Sequence, residues 1–251
     1  MSAEPLLRVE RITKAFGRML AVCDVSFELR PGQALGVIGP NGSGKSTLIN
    51  LITGFVRPTS GRVFFKGEDV TAVPPHRRVE RGMARSFQMA RPFYGLPVFK
   101  NVVIPLSSAR ARRHLGQEYG DRDEAAIHLL EDVGFERDSA IPTKRAGELP
   151  HGYLKRLELA RVLALDPDVV ILDELFSGMS LSEIAGVLPL LERIKAAGKA
   201  LLMVEHRLRE LFRVVDGVVM LQFGEKIAEG PPAEVMARPD VVEAYLGAEV
   251  R

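Results

Sequence analysis

Gly39-Pro40-Asn41-Gly42-Ser43-Gly44-Lys45-Ser46-Thr47 fits G-x-x-x-x-G-K-[ST], the pattern of a loop that cradles phosphates. Before it, Ala34-Leu35-Gly36-Val37-Ile38 is an unbroken apolar run, as in a parallel strand buried on both faces. After it, Leu48, Leu51, Ile52 and Phe55 recur at helical spacing. The loop therefore joins a strand to a helix. Gly42 and Gly44 admit backbone conformations closed to other residues, so successive N–H groups turn inward. The helix start adds partial positive charge. Lys45 then reaches the β- and γ-phosphates, Ser46 offers a hydroxyl to Mg2+, and Thr47 adds a donor near the α-phosphate. Gly39, Asn41 and Ser43 complete the cradle. The loop implies a nucleoside triphosphate and leaves open what its energy drives.

The chain has 251 residues, 46% hydrophobic and 26% charged, which suits one large domain or a core with an inserted lobe. A formal charge of +2 predicts neither nucleic acid nor an anionic membrane as partner. The single cysteine, Cys23, forms no internal disulfide, which points to a reducing compartment. No apolar run approaches the ~18 residues of a membrane span. Met1-Ser2-Ala3-Glu4-Pro5 lacks the basic-then-apolar order of a signal peptide. Any membrane role is expected to come through a partner.

Working outward, Val25, Phe27 and Leu29 alternate with Ser26, Glu28 and Arg30, which predicts a half-buried antiparallel strand before the turn at Pro31-Gly32. Phe16 precedes the loop and either stacks on a nucleobase or belongs to the core. Arg62–Phe65 reads as another strand. The basic run Arg77, Arg78, Arg81, Arg85 and Arg91 reads as a solvated face, or else as a surface for an acidic partner. Gln88 ends a short strand. Residues 89–165 lose the sheet pattern and read as an inserted helical lobe. In it Asp123 is placed to cap a helix ending at Gly134, and Leu154, Leu157, Ala160 and Ala164 mark another helix. A second basic cluster, Arg110, Arg112, Arg113 and His114, lies there too.

Val169-Val170-Ile171-Leu172 ends in Asp173-Glu174. In a parallel sheet ligands bind beyond the carboxyl ends of the strands, so this pair falls beside the phosphate loop. Asp173 is suited to a metal shell and Glu174 to polarising a water, although strand-end carboxylates are often merely solvated. Ala200–Val204 is a further buried strand, and its end, Glu205-His206, lies on the same edge. Leu208, Leu211, Phe212 and Val215 predict a helix. A hairpin around Gly224 and a helical tail from Pro231-Pro232 to Arg251 follow.

Taken in order, the phosphate loop, Ser86-Phe87-Gln88, Leu149-Pro150-His151-Gly152-Tyr153, Val170–Glu174, Ser177-Gly178-Met179-Ser180 and Glu205-His206 resemble the ATP-binding subunit of an ABC transporter over essentially the whole chain. Ala84–Gln88, Gly230–Val235 and Pro239–Gly247 look like the ATPases of branched-chain amino acid importers. Importers of urea, amides or aromatic acids and lipopolysaccharide-export ATPases share parts of these features. The resemblance implies an α/β fold: a RecA-like P-loop NTPase core with an antiparallel β subdomain (1–87 and 166–230), a helical lobe (88–165) and a tail (231–251). It implies ATP and Mg2+ as ligands, with Ser46, Gln88 and Asp173 around the metal. It further implies adenine stacking by Phe16, Glu174 as catalytic base, Gln88 as sensor of metal and water, and His206 on the γ-phosphate. Gly152 would reach the ATP of a second ATPase subunit, in a homo- or heterodimer. A groove near residues 88–101 would receive transmembrane permease subunits, with a solute-binding protein as indirect partner. The implied location is cytoplasmic, on the inner face of the cell membrane.

The chain departs from the family's usual Leu-Ser-Gly-Gly-Gln signature. Pro150 has neither a hydroxyl nor an N–H to donate, His151 replaces a glycine, Leu175 stands where proline is usual and Ser180 where Asp is common. The reading is an intact site on the chain's own nucleotide and a weakened contribution to its partner's. A heterodimer with one slow site is therefore expected. A soluble ABC ATPase of nucleic-acid maintenance or translation and a weakly hydrolysing regulator are the competing readings.

Overall fold

The computed structural model describes residues 4–87, 91–114, 121–136 and 139–249. Strands β1 (Leu7–Phe16) and β2 (Met19–Leu29) form a hairpin. With β4 (Ser60–Phe65) and β5 (Glu68–Asp69) they make an antiparallel sheet in the order β2-β1-β4-β5. As the alternation predicts, Val25, Phe27 and Leu29 are buried and Glu28 is exposed.

The second sheet is built from β3 (Ala34–Ile38), β6 (Met83–Arg85), β7 (Val169–Asp173), β8 (Ala200–Val204), β9 (Gly217–Gln222) and β10 (Glu225–Gly230). Its order is β10-β9-β3-β8-β7-β6, parallel except for the β9–β10 hairpin. All residues of β3, β7 and β8 are buried, because both faces are covered. Strand alternation divides the core. Val37, Ile171 and Val204 face α1 (Lys45–Thr53) and the antiparallel sheet. Ile38, Leu172 and Met203 face the remaining helices. In register, Val37 and Asp173 both lie level with Val204, so the ends of β3, β7 and β8 share one edge.

Between β6 and β7 lie α3 (Val98–Leu106), α4 (Ala109–His114), α5 (Arg122–Asp132) and α6 (His151–Leu163). The cap of α5 is Asp121, whose carboxylate accepts the Asp123 N–H, and not Asp123 itself. Asp123 instead pairs with Lys100 at 2.7 Å. After β7 comes α7 (Leu181–Ala196), with a capping box of Ser180 and Glu183. The helix expected through Val215 is short, α8 (Leu208–Leu211), and the tail breaks into α9 (Pro232–Met236) and α10 (Pro239–Glu249), where Pro239 opens the second piece.

Two sequence expectations are corrected here. Phe55 falls past the end of α1 and is exposed rather than part of its buried stripe. The basic run is not one solvated face. Arg77 and Arg81 are exposed and pair with Glu80 and Glu68. Arg78, in α2 (Pro75–Arg81), is buried, as is the side chain of Arg85. Arg110, in α4, reaches the residues just before β7 through Asp166 O at 2.7 Å and Asp168 at 2.9 Å.

Candidate nucleotide-binding and hydrolysis site

The loop from Gly39 to Gly44 leaves the end of β3 and enters α1. Gly44, the N-cap, has φ 103°, and a Cβ there would overlap Ala21 O. A Cβ at Gly39 would overlap Leu221 O, so only glycine lets the loop pass this close to the neighbouring strands. No side chain caps α1. Its first N–H groups are left for an anion, as the macrodipole favours.

Lys45 is buried, and its ammonium donates to Gly39 O at 2.7 Å and Pro40 O at 2.9 Å. The side chain thus folds back over the loop and fixes its curvature. Burial lowers its pKa, and the Glu174 and Asp173 carboxylates act in the opposite direction. Ser43 Oγ is buried without a hydrogen-bond partner. Asn41, Gly42 and Ser46 are exposed, and Thr47 is half-buried.

Ser46 and Asp173 line one cavity of about 550 Å³. Among the described residues no three His, Cys, Asp or Glu side chains converge on a metal position. The Asp173 carboxylate and the Ser46 hydroxyl present oxygen donors to this cavity, a type that suits a hard cation such as Mg2+. Arg85 donates to Asp173 Oδ2 at 2.6 Å, and Ser86 Oγ accepts the Asp173 N–H at 3.1 Å.

Glu174 follows β7 with φ 52°, an uncommon conformation for a residue with a side chain. Its N–H donates to Val204 O at 2.9 Å, and its own carbonyl accepts from Lys155 Nζ at 3.2 Å. Its Oε1 stands 3.1 Å from His206 Nε2. Two residues proposed from different strands are thereby in contact. Phe16 closes β1 with an exposed ring, and Lys14 Nζ lies 5.0 Å from its centroid. Gly152 lies far along the chain, at the start of α6, under the Glu183 carboxylate. Gln88 falls outside the described residues.

Sequence reading passed over three buried groups. Arg85 stands in a basic run whose pattern reads as surface charge, yet its side chain is largely enclosed. Glu158 Oε1 accepts the Phe87 N–H at 2.5 Å, and burial raises its pKa against the pull of that N–H. Glu205 accepts the Phe176 N–H at 2.8 Å, and burial pushes its pKa up to about 7. The adjacent Glu205-His206 pair marked the position, but nothing local distinguishes a buried carboxylate from an exposed one.

The Glu205 shift has a sign that can be measured. An unfolded glutamate titrates near 4.5, so between 4.5 and about 7 the folded state holds the extra proton. Stability therefore falls as pH rises through this window, by on the order of 3 kcal/mol. Glu205→Gln keeps an acceptor for Phe176 and removes the titration. Its urea midpoint is expected to be flatter between pH 4.5 and 7 and higher than wild type at pH 8. A wild-type slope in this variant would refute the assignment.

The chain matches the family described as ABC transporter over residues 22–177, and the branched-chain amino acid ATP-binding cassette transporter family over residues 225–251. It is 35% identical over 254 residues to the probable branched-chain amino acid transport ATP-binding protein LivG of Methanocaldococcus jannaschii, covering 96% of this chain and 97% of that one. It is 30% identical over 260 residues to the high-affinity branched-chain amino acid transport ATP-binding protein BraF of Pseudomonas aeruginosa, covering 98% and 99%. Among solved structures it is similar to the ADP conformation of MJ1267, an ATP-binding cassette of an ABC transporter. The TM-score is 0.84 at 32% identity, covering 98% of this chain and 100% of that one. A family match over more than half of the chain, and relatives alike from end to end, agree with what the loop and strand tips are built to do: the chain belongs to the ABC transporter family, among its ATP-hydrolysing cassettes.

Proposed function

We propose that this chain is the energy-coupling ATPase of an importer for branched-chain amino acids or closely related solutes. The observation that carries the reading is the meeting of Glu174 and His206 at 3.1 Å on the sheet edge that also holds the phosphate loop. The tail match and the relatives' names supply the solute class.

In this reading the α1 N–H groups and Lys45 hold the triphosphate, while Ser46 and Asp173, with Gln88, would hold Mg2+, whose charge would offset that of the phosphates. Glu174 takes a proton from the attacking water, and His206 steadies the γ-phosphate and the Glu174 carboxylate together. Phe16 offers its ring to adenine. Gly152 serves the nucleotide of a second cassette in a homo- or heterodimer. The functional units are the core with its β subdomain (1–87 and 166–230), the lobe (88–165) and the tail (231–251). Among the described residues no helix is long and apolar enough to cross a membrane. In this reading coupling passes through permease subunits seated at the cytoplasmic membrane face, and a solute-binding protein acts through them.

The seat we assign to the permease is a groove of about 490 Å³ between core and lobe, lined by Phe55, Pro75, Val79, Phe87, Phe93 and Ile104 among others. Phe55, Phe87, Phe93 and Ile104 are exposed, which suits an apolar segment of a partner. The test is ATP-driven uptake of labelled leucine by vesicles carrying the chain with the permeases and the solute-binding protein that co-purify with it. Uptake is expected to vanish with Lys45→Ala. ATP turnover without uptake of any branched-chain amino acid would overturn the solute assignment.

A further inference from the structure

Arg85 holds two surfaces at once. Its guanidinium donates to Asp173 Oδ2 at 2.6 Å and to Asn50 Oδ1 at 2.7 Å. Its central carbon lies 5.3 Å from the Phe87 ring centroid and 5.9 Å from that of Phe55. Those rings meet edge to face, with centroids 5.7 Å apart, and both are exposed at the groove. The Arg85 side chain is itself 9% exposed, and its Nε is buried with no hydrogen-bond partner. The cavity shared by Ser46 and Asp173 reaches Phe87, so solvent space joins the two regions as well.

We propose that Arg85 is a positioning residue that makes the cation affinity of Asp173 depend on the state of the aromatic pair at the groove. The reasoning is electrostatic and rests on Asp173 as metal-shell residue in the function proposed above. A guanidinium and a divalent cation compete for one buried carboxylate. While Arg85 sits on Asp173 the carboxylate is already neutralised, and a cation gains less there. The aromatic faces attract the same guanidinium by their quadrupole. A partner that presses on Phe87 changes how firmly Arg85 is drawn away from Asp173. The groove and the phosphate site are thus tied through one side chain, without a change in backbone.

The direction can be read without hydrolysis. Mn2+ affinity is measured by electron paramagnetic resonance on the full chain, with an ATP analogue that cannot be hydrolysed. Arg85→Met is expected to bind Mn2+ roughly tenfold more tightly, because it removes a like charge beside the cation. Arg85→Lys, which keeps the charge, is expected to stay near wild type. Phe87→Ala, which removes a ring that draws Arg85 off Asp173, is expected to weaken Mn2+ binding severalfold in the wild-type background and not at all beside Arg85→Met, since the two act as a unit. Unchanged or weaker binding in Arg85→Met, or an equal Phe87→Ala effect in both backgrounds, would overturn the link. If Arg85→Met does not fold, Phe87→Ala decides alone: it alters an exposed side chain, and unchanged Mn2+ affinity refutes the proposal. A wild type that binds no Mn2+–nucleotide at all would remove the nucleotide-site reading and the link with it. That result is distinct from a failure of the variants.

Discussion

Glu174→Gln is expected to bind ATP as wild type does and to hydrolyse it about 10²–10⁴ times more slowly, the usual contribution of a positioned general base. The substitution is nearly isosteric. It leaves the turn at φ 52°, the N–H bond to Val204 O and the Lys155 bond to the residue 174 carbonyl, all of which belong to the backbone. An amide still meets His206. What it cannot do is take a proton from water. Phosphate release at saturating ATP measures the loss, and equilibrium binding of a fluorescent ATP analogue checks that affinity stays within a few-fold. Turnover close to wild type would show that Glu174 is not the base.

Arg78→Met is expected to be the most damaging single change to the fold. The Arg78 guanidinium is buried and donates to Leu51 O at 3.0 Å, to Ile52 O, to Val73 O at 2.9 Å and to Thr71 O at 3.0 Å. Two of these carbonyls lie in the last turn of α1, where a cation complements the dipole; Leu51 O also accepts the Gly54 N–H at 3.2 Å. Burial lowers the guanidinium pKa to about 10, yet it stays charged at neutral pH. Methionine fills much of the volume and takes the guanidinium from four carbonyls, of which Leu51 O keeps the Gly54 N–H. Leaving a buried acceptor without its donor costs roughly 1–3 kcal/mol, so with several acceptors affected a loss of about 3–5 kcal/mol is expected, a fall in Tm of roughly 10 °C for a chain of this size. Because α1 carries the phosphate loop, nucleotide binding should weaken as well. The control is Arg77→Met: Arg77 is exposed beside Glu80, and its loss should stay within about 0.5 kcal/mol. Equal melting of the two variants would contradict the role given to Arg78.

The contrast between these arginines shows what could be read in advance. The apolar run of β3 and the stripe of α1 report their burial directly, because period and length encode it. The strand tips at Asp173 and His206 follow from parallel topology, and their meeting needs only the sheet order. Arg78 carries no such mark. Its acceptors at Leu51 and Ile52 are distant in sequence, and an arginine beside Arg77 and Arg81 looks like one more surface charge. Arg85 is hidden in the same way, since its partner Asp173 is supplied by the adjacent strand β7. Asp121 and Asp123 are chemically equal caps, and the choice between them is made by the Lys100 ion pair from another helix. Local pattern fixes elements, whereas the pairing of charges waits on tertiary contact.

The Glu183 carboxylate accepts the Ser180 N–H at 2.8 Å, and it also lies over Gly152, where any Cβ would overlap it. The His151 ring packs in turn on Gly178. His151-Gly152 and the segment from Gly178 to Glu183 are therefore one interlocked joint within a single subunit. Restoring the common signature wording at 149–153 alone would strip Gly178 of its imidazole cover.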